Sequence, residues 1–165
     1  MERGATFFEV LVVLGILAIV GTSALFVTMD AYRSSSFRSD RDLLLATLQR
    51  ARAQAMNNVC LGTGCVDGVR HGVAIKPATH LNSFVIFQTS NSGSDKYVDS
   101  TASDKDQDAM FPVNPNTTFT ISPSAANIVF AQLSGIVPVA LTIHVEQPGH
   151  PADIHVETNG RIWID

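Results

Sequence analysis

The sequence predicts an α+β protein: a long N-terminal helix, apolar in its first half, packed on an antiparallel β-sheet head. Three observations carry that expectation. Twenty consecutive residues, Val10 to Met29, bear no charge. No proline interrupts the chain before Pro77, and before Gly62 glycine occurs only at Gly4, Gly15 and Gly21. After Cys65 the pattern changes to short β-favouring runs separated by turn residues.

The helix can extend from about Thr6 to Asn58, because nothing in that stretch breaks it. At 1.5 Å per residue it rises about 80 Å, and its charge-free stretch rises about 30 Å, the thickness of a bilayer's hydrocarbon core. The polar, Ser-rich stretch Asp30–Asp42 is expected to be its weakest part. Beyond it Leu44, Leu48, Ala51 and Ala55 recur at helical spacing, widened by Leu43 and Leu45, and form the stripe on which a sheet packs. Arg41, Arg50 and Arg52, with Gln49 and Gln54, fall mostly on other faces and read as a solvated surface.

Seven strands are expected in the head: His71–Lys76, Ser83–Thr89, Thr117–Ile121, Asn127–Ala131, Ala140–Glu146, Asp153–Glu157 and Arg161–Ile164, arranged in one antiparallel sheet or two. Asn159-Gly160 between alternating apolar residues is the signal of a two-residue hairpin turn. The segment Ser90–Met110 reads as a solvated loop. Cys60 and Cys65, the only cysteines, stand close enough for a disulfide closing a small loop, as suits an exported domain. A zinc site built from them and two histidines lacks a second Cys pair.

Charge limits the function. Residues 59–165 carry five Lys or Arg against ten Asp or Glu, a net of −5, and a field of that sign repels phosphate backbones, so DNA is an unfavoured partner for the head. The five histidines, His71, His80, His144, His150 and His155, show no metal-ligand spacing, although His144 and His155 fall on strands that can pair. No phosphate-cradling glycine loop or nucleophile elbow occurs, and no Ser or Asp stands with a convincing base, so no enzymatic constellation is expected. Asp104, Asp106 and Asp108 alternate as in the first half of a calcium loop. Ala109 replaces the sixth-position glycine and Pro115 the twelfth-position glutamate, so the expected cofactor set is empty, with calcium as the minority reading.

The first residues are the most informative. A cleaved secretory signal ending near Thr22-Ser23-Ala24, or a plain one-pass anchor, leaves Glu9 unexplained, because a carboxylate at the edge of an apolar helix is costly in lipid. Cleavage after Gly4 creates a new amino group on Ala5, four residues before Glu9. One subunit's amine can then neutralise a neighbour's carboxylate within a packed bundle.

Arg3-Gly4-Ala5-Thr6-Phe7-Phe8-Glu9-Val10-Leu11 resembles the prepilin signal of the type IV pilin and pseudopilin family, although that family usually begins its mature chain with Phe where Ala5 stands here. The resemblance implies a leader at 1–4 cut by prepilin peptidase between Gly4 and Ala5. It also implies N-methylation of Ala5, and an assembly role for Glu9 with Thr6. It divides the chain into a transmembrane and assembly helix at 5–29, an amphipathic continuation at 30–58 and a β-rich head at 59–165. Leu48–Met56, Ser83–Phe87, Ile128–Gly135 and Ile154–Ile162 are similar to the H-type, FimT-like branch of minor pilins and pseudopilins.

The function implied is that of a structural minor pilin, held in the inner membrane with its head outside the cytoplasm and then built into a filament of like subunits. A minor pseudopilin of type II secretion shares the same fold. A membrane-anchored ligand-binding β-domain that never assembles is the alternative of another class.

Overall fold

A computed structural model of the chain describes residues 7–60, 69–77, 80–90, 97, 107–125 and 127–165, without the side chains of 23–30, 90 and 107–109. Helix α1 runs Phe7–Met56. The strands are β1 (Val69–Ile75), β2 (Ser83–Ser90), β3 (Gln107–Pro112), β4 (Thr118–Ser122), β5 (Asn127–Phe130), β6 (Leu141–Gln147), β7 (His150–Val156) and β8 (Ile162–Ile164). They form two four-stranded sheets, ordered β3-β2-β1-β5 and β4-β6-β7-β8, and every pair is antiparallel. By its contacts the chain divides into two compact units, residues 1–36 and residues 37–165.

In the larger unit, one core joins the helix stripe to the inner faces of both sheets. Leu44, Leu48, Ala51 and Ala55 are fully buried, and they share a cluster with Val73, Phe84, Ile86, Ile128, Phe130, Ile143, Val145, Ile154 and Val156. Period-2 alternation explains the second sheet: Ile143 and Val145 of β6 point inward, while His144 and Glu146 point outward. The outer face of the first sheet is apolar as well. Ala74, Val85, Phe87 and Val129 form a second cluster against Tyr97. Gly72, opposite Phe87, leaves room for that ring, since a Cβ there would lie 2.6 Å from the Phe87 Cζ.

The stretch Asp30–Asp42, expected to be weakest, is helical throughout. Its final turns are tied to the head. Phe37 is buried and stacks on His150 at 5.9 Å. Asp40, only 7% exposed, accepts a 2.6 Å bond from Thr117 Oγ1 and a 3.3 Å bond from the Asn114 N–H. A buried carboxylate is tolerable when its oxygens are bonded in this way. Beside it the Lys76 ammonium donates to the Thr117 carbonyl and lies 5.3 Å from the centre of the Phe119 ring.

At its far end α1 closes with Asn58 in the left-handed region (φ 49°), the Asn58 N–H bonding to the Ala55 carbonyl and the Val59 N–H to the Gln54 carbonyl. This is a Schellman arrangement with asparagine in the usual glycine place.

Two expectations are corrected. The stretch read as a loop to Met110 contains strand β3, which pairs with β2 through Val85–Met110 and Phe84–Phe111. Its aspartates mask the signal, and Pro112 is tolerated because β3 is an edge strand. The β7–β8 hairpin forms, but with a three-residue turn. The Glu157 N–H bonds to the Arg161 carbonyl, the Gly160 N–H to the Glu157 carbonyl, and Gly160 alone in the turn has positive φ (78°). A two-residue type I′ turn needs positive φ at Asn159 too. Asn159 Oδ1 instead accepts from the Arg161 N–H at 2.7 Å, which favours a type I turn followed by glycine.

These contacts give two expected outcomes. Leu48→Ala should lower the unfolding free energy of the full chain by about 2–5 kcal/mol, measured by urea titration in detergent, whereas Leu81→Ala, at a site 65% exposed, should leave it nearly unchanged; equal effects would contradict the core assignment. Desolvation lowers the Lys76 pKa from its ordinary 10.5, opposed by the Asp40 charge. The unfolded chain therefore binds more protons just below that value, and stability gains from Lys76 as pH rises through the window. The wild type should gain on Lys76→Met as pH rises toward the ordinary lysine value of 10.5, and a pH-independent difference would contradict it.

Candidate functional site

The most distinctive surface belongs to α1. From Phe7 to Thr22 every described side chain is exposed, including Phe7 (81%), Leu17 (61%) and Ile19 (69%). The exposed apolar residues do not form a stripe. Val10, Leu11, Val12, Val13 and Leu14 are consecutive and so cover the whole circumference of the helix. A helix apolar all round belongs inside a protein bundle or a bilayer. Gly15 and Gly21 have nothing within 4 Å of where a Cβ would stand, so neither is required by packing within the chain. Thr22 returns its hydroxyl to the carbonyls of Ala18 and Ile19 and leaves no polar group outward. Glu9, in the first turn, is exposed.

Among the described residues no helix is long and apolar enough to cross a membrane. The side chains of residues 23–30, eight positions that overlap the twenty-residue charge-free run, are not among those described.

Other sequence-derived sites are placed as follows. Gly4, Ala5 and Thr6 lie outside the described residues, as do Cys65, Asp104 and Asp106; Asp108 stands in β3 without a described side chain. Cys60 follows the helix cap, and among the described residues no cysteine is a free thiol. No group of three His, Cys, Asp or Glu able to hold a metal occurs among the described residues.

The histidines occupy separate environments. His71 is wholly buried in β1. His144 faces Asp153 across the β6–β7 pair (Nδ1 to Oδ1, 2.7 Å), whereas His155 faces Thr142 (3.1 Å) and stacks on Trp163 at 4.0 Å. The register therefore sets the two histidines on a diagonal, each with its own partner.

The head also holds a cavity of about 530 Å³ at the seam of the two sheets, lined by residues including Lys76, Tyr97, Phe119, Thr120 and Asn127. Lys76 has a positive φ (44°) there. Its ammonium is already engaged by the Thr117 carbonyl and the Phe119 ring, so among the described residues lining the cavity no cation is free for a ligand.

No protein-family model matches the sequence, and no curated protein matches it either. Among solved structures the chain is similar to the crystal structure of the type IV minor pilin FimU of Pseudomonas aeruginosa. The TM-score is 0.58 at 16% identity, over 80% of this chain and 90% of that one. Identity that low speaks to architecture alone. The long helix laid against antiparallel sheets is a pilin-like fold.

Proposed function

We propose that this protein is a structural subunit of a type IV pilus-like filament, a minor pilin assembled through its N-terminal helix. The observation that carries the reading is the fully apolar circumference of α1 between Val10 and Val20. That surface is stable only when surrounded, first by lipid and then by the helices of neighbouring subunits. The likeness to a minor pilin supports the same reading at the level of fold.

In this account the precursor spans the inner membrane through Val10–Met29 with its head outside the cytoplasm. Prepilin peptidase cuts between Gly4 and Ala5, and the Ala5 amine is methylated. Leaving the bilayer, the helix buries Val10–Val27 against those of other subunits. Gly15 and Gly21 allow close backbone approach there, and Glu9 of one subunit is answered by the amine of another. The interaction is strong because a carboxylate among apolar helices is costly alone and favourable when paired. Cys60 and Cys65 close a small disulfide loop where the helix enters the head, as an oxidising compartment permits.

Replacing Glu9 tests the proposal. Glu9→Ala should reduce the subunit in sheared filaments by tenfold or more, while its amount in the inner membrane fraction stays unchanged. Filament incorporation equal to wild type would overturn assembly through this group and favour a non-assembling anchored domain.

A further inference from the structure

The junction between the end of α1 and the β7–β8 hairpin is built around one arginine. Arg52 was expected on a solvated helix face. Its side chain instead passes between two glycines with positive φ. A Cβ at Gly135 (φ 63°) would lie 3.0 Å from Arg52 Cγ, and one at Gly160 (φ 78°) would lie 2.7 Å from Arg52 Nε. The loop carrying Gly135 is bonded to the helix end, with the Leu133 N–H donating to the Ala55 carbonyl and Gln132 Nε2 to Asn58 Oδ1. The hairpin is bonded to the same loop through the Val137 N–H and the Thr158 carbonyl. Three chain segments thus fix the stem of Arg52.

The guanidinium is held without being satisfied. Its Nη2 makes a long 3.4 Å bond to the Asn159 carbonyl, and its buried Nε has no hydrogen-bond partner. It lines a cavity of about 490 Å³ together with Gln49, Asn159, Arg161 and Ile162. Two guanidinium groups therefore border one cavity, and neither forms a salt bridge among the described residues. Glu157, four residues before Arg161, is engaged elsewhere: its oxygens accept from Asn159 Nδ2 at 3.1 Å and Trp163 Nε1 at 3.3 Å.

We infer that this cavity is a receptor for a single carboxylate presented by a neighbouring subunit. Guanidinium forks match a carboxylate in two-point geometry, and the Gln49 amide adds a donor beside them. Ile162 supplies an apolar wall for the aliphatic stem of a Glu or Asp side chain. Charge selects a single carboxylate over a polyanion. Two arginines border the cavity against one adjoining carboxylate, that of Glu157, whereas an extended phosphate chain meets the field of a head with net charge −5. The neighbouring subunit as source rests on the assembly reading above; the preference of the cavity for a carboxylate does not.

The test follows the side-chain Nε–Hε resonances of Arg52 and Arg161 by NMR in the full chain in detergent. The probe is N-acetyl-glutamate N-methylamide, and its glutamine counterpart is the control. The glutamate probe should shift both resonances with saturation in the millimolar range, and the glutamine probe should not. Arg161→Gln, at an exposed position, should weaken binding by roughly tenfold while leaving the rest of the spectrum in place, and Arg161→Lys should restore part of it. Equal shifts with glutamine, no shift with glutamate, or unchanged binding by Arg161→Gln would overturn the receptor. Tighter binding of a short DNA duplex to the same two resonances would overturn the choice of a carboxylate. Failure of Glu9→Ala to alter incorporation would remove the assembly reading and leave these titrations unaffected.

Discussion

The structure depends on how one helix disposes of two kinds of apolar surface. Between Leu44 and Ala55 the apolar residues follow the helical repeat and vanish into a core shared with both sheets. Between Val10 and Val20 they follow no repeat and remain exposed around the whole circumference. Burial of apolar area is the main favourable term in folding and association alike. The first pattern is satisfied within the chain, and the second requires other molecules. Function, in this account, is the completion of a burial that the chain leaves unfinished.

The head fits that division of labour. Two four-stranded sheets enclose the amphipathic part of the helix, and polar latches fix its path: Asp40 with Thr117 and Asn114 before the stripe, and the Schellman cap at Asn58 after it. A latch made from a buried carboxylate adds directionality that apolar packing lacks, because its bonds form only in one register. At the far end Arg52 lies between Gly135 and Gly160, so the helix, the 131–136 loop and the last hairpin act as one unit.

Much of this was legible in the sequence, for reasons that can be named. The stripe from Leu44 to Ala55 has the right period, and seven strand positions emerged because β-branched runs alternate between turn residues. Strand β3 was hidden, since Asp104-to-Asp108 reads as solvated chain and Pro112 reads as a stop; its pairing to β2 is a tertiary effect that local composition does not encode. Asp40 was equally hidden, because a charged residue in a Ser-rich stretch looks exposed until a threonine 77 positions away is brought to it. The hairpin at Asn159-Gly160 was found, but its turn length was not, because the same dipeptide serves both two-residue and three-residue turns. Arg52 was read from its own helix alone, and the two glycines that confine it lie on other segments. The proposed N-terminal signature works differently: it is read from the offsets of Gly4, Thr6 and Glu9 along the sequence and not from packing.

The central claim is that a carboxylate opening an apolar helix is answered by a terminal nitrogen created for it. The most direct measurement is the intact mass of the subunit recovered from native membranes or filaments. The account predicts a chain beginning at Ala5 and carrying one N-methyl group, a net gain of one CH2; retention of Met1, or a new terminus near Ala24, would contradict it.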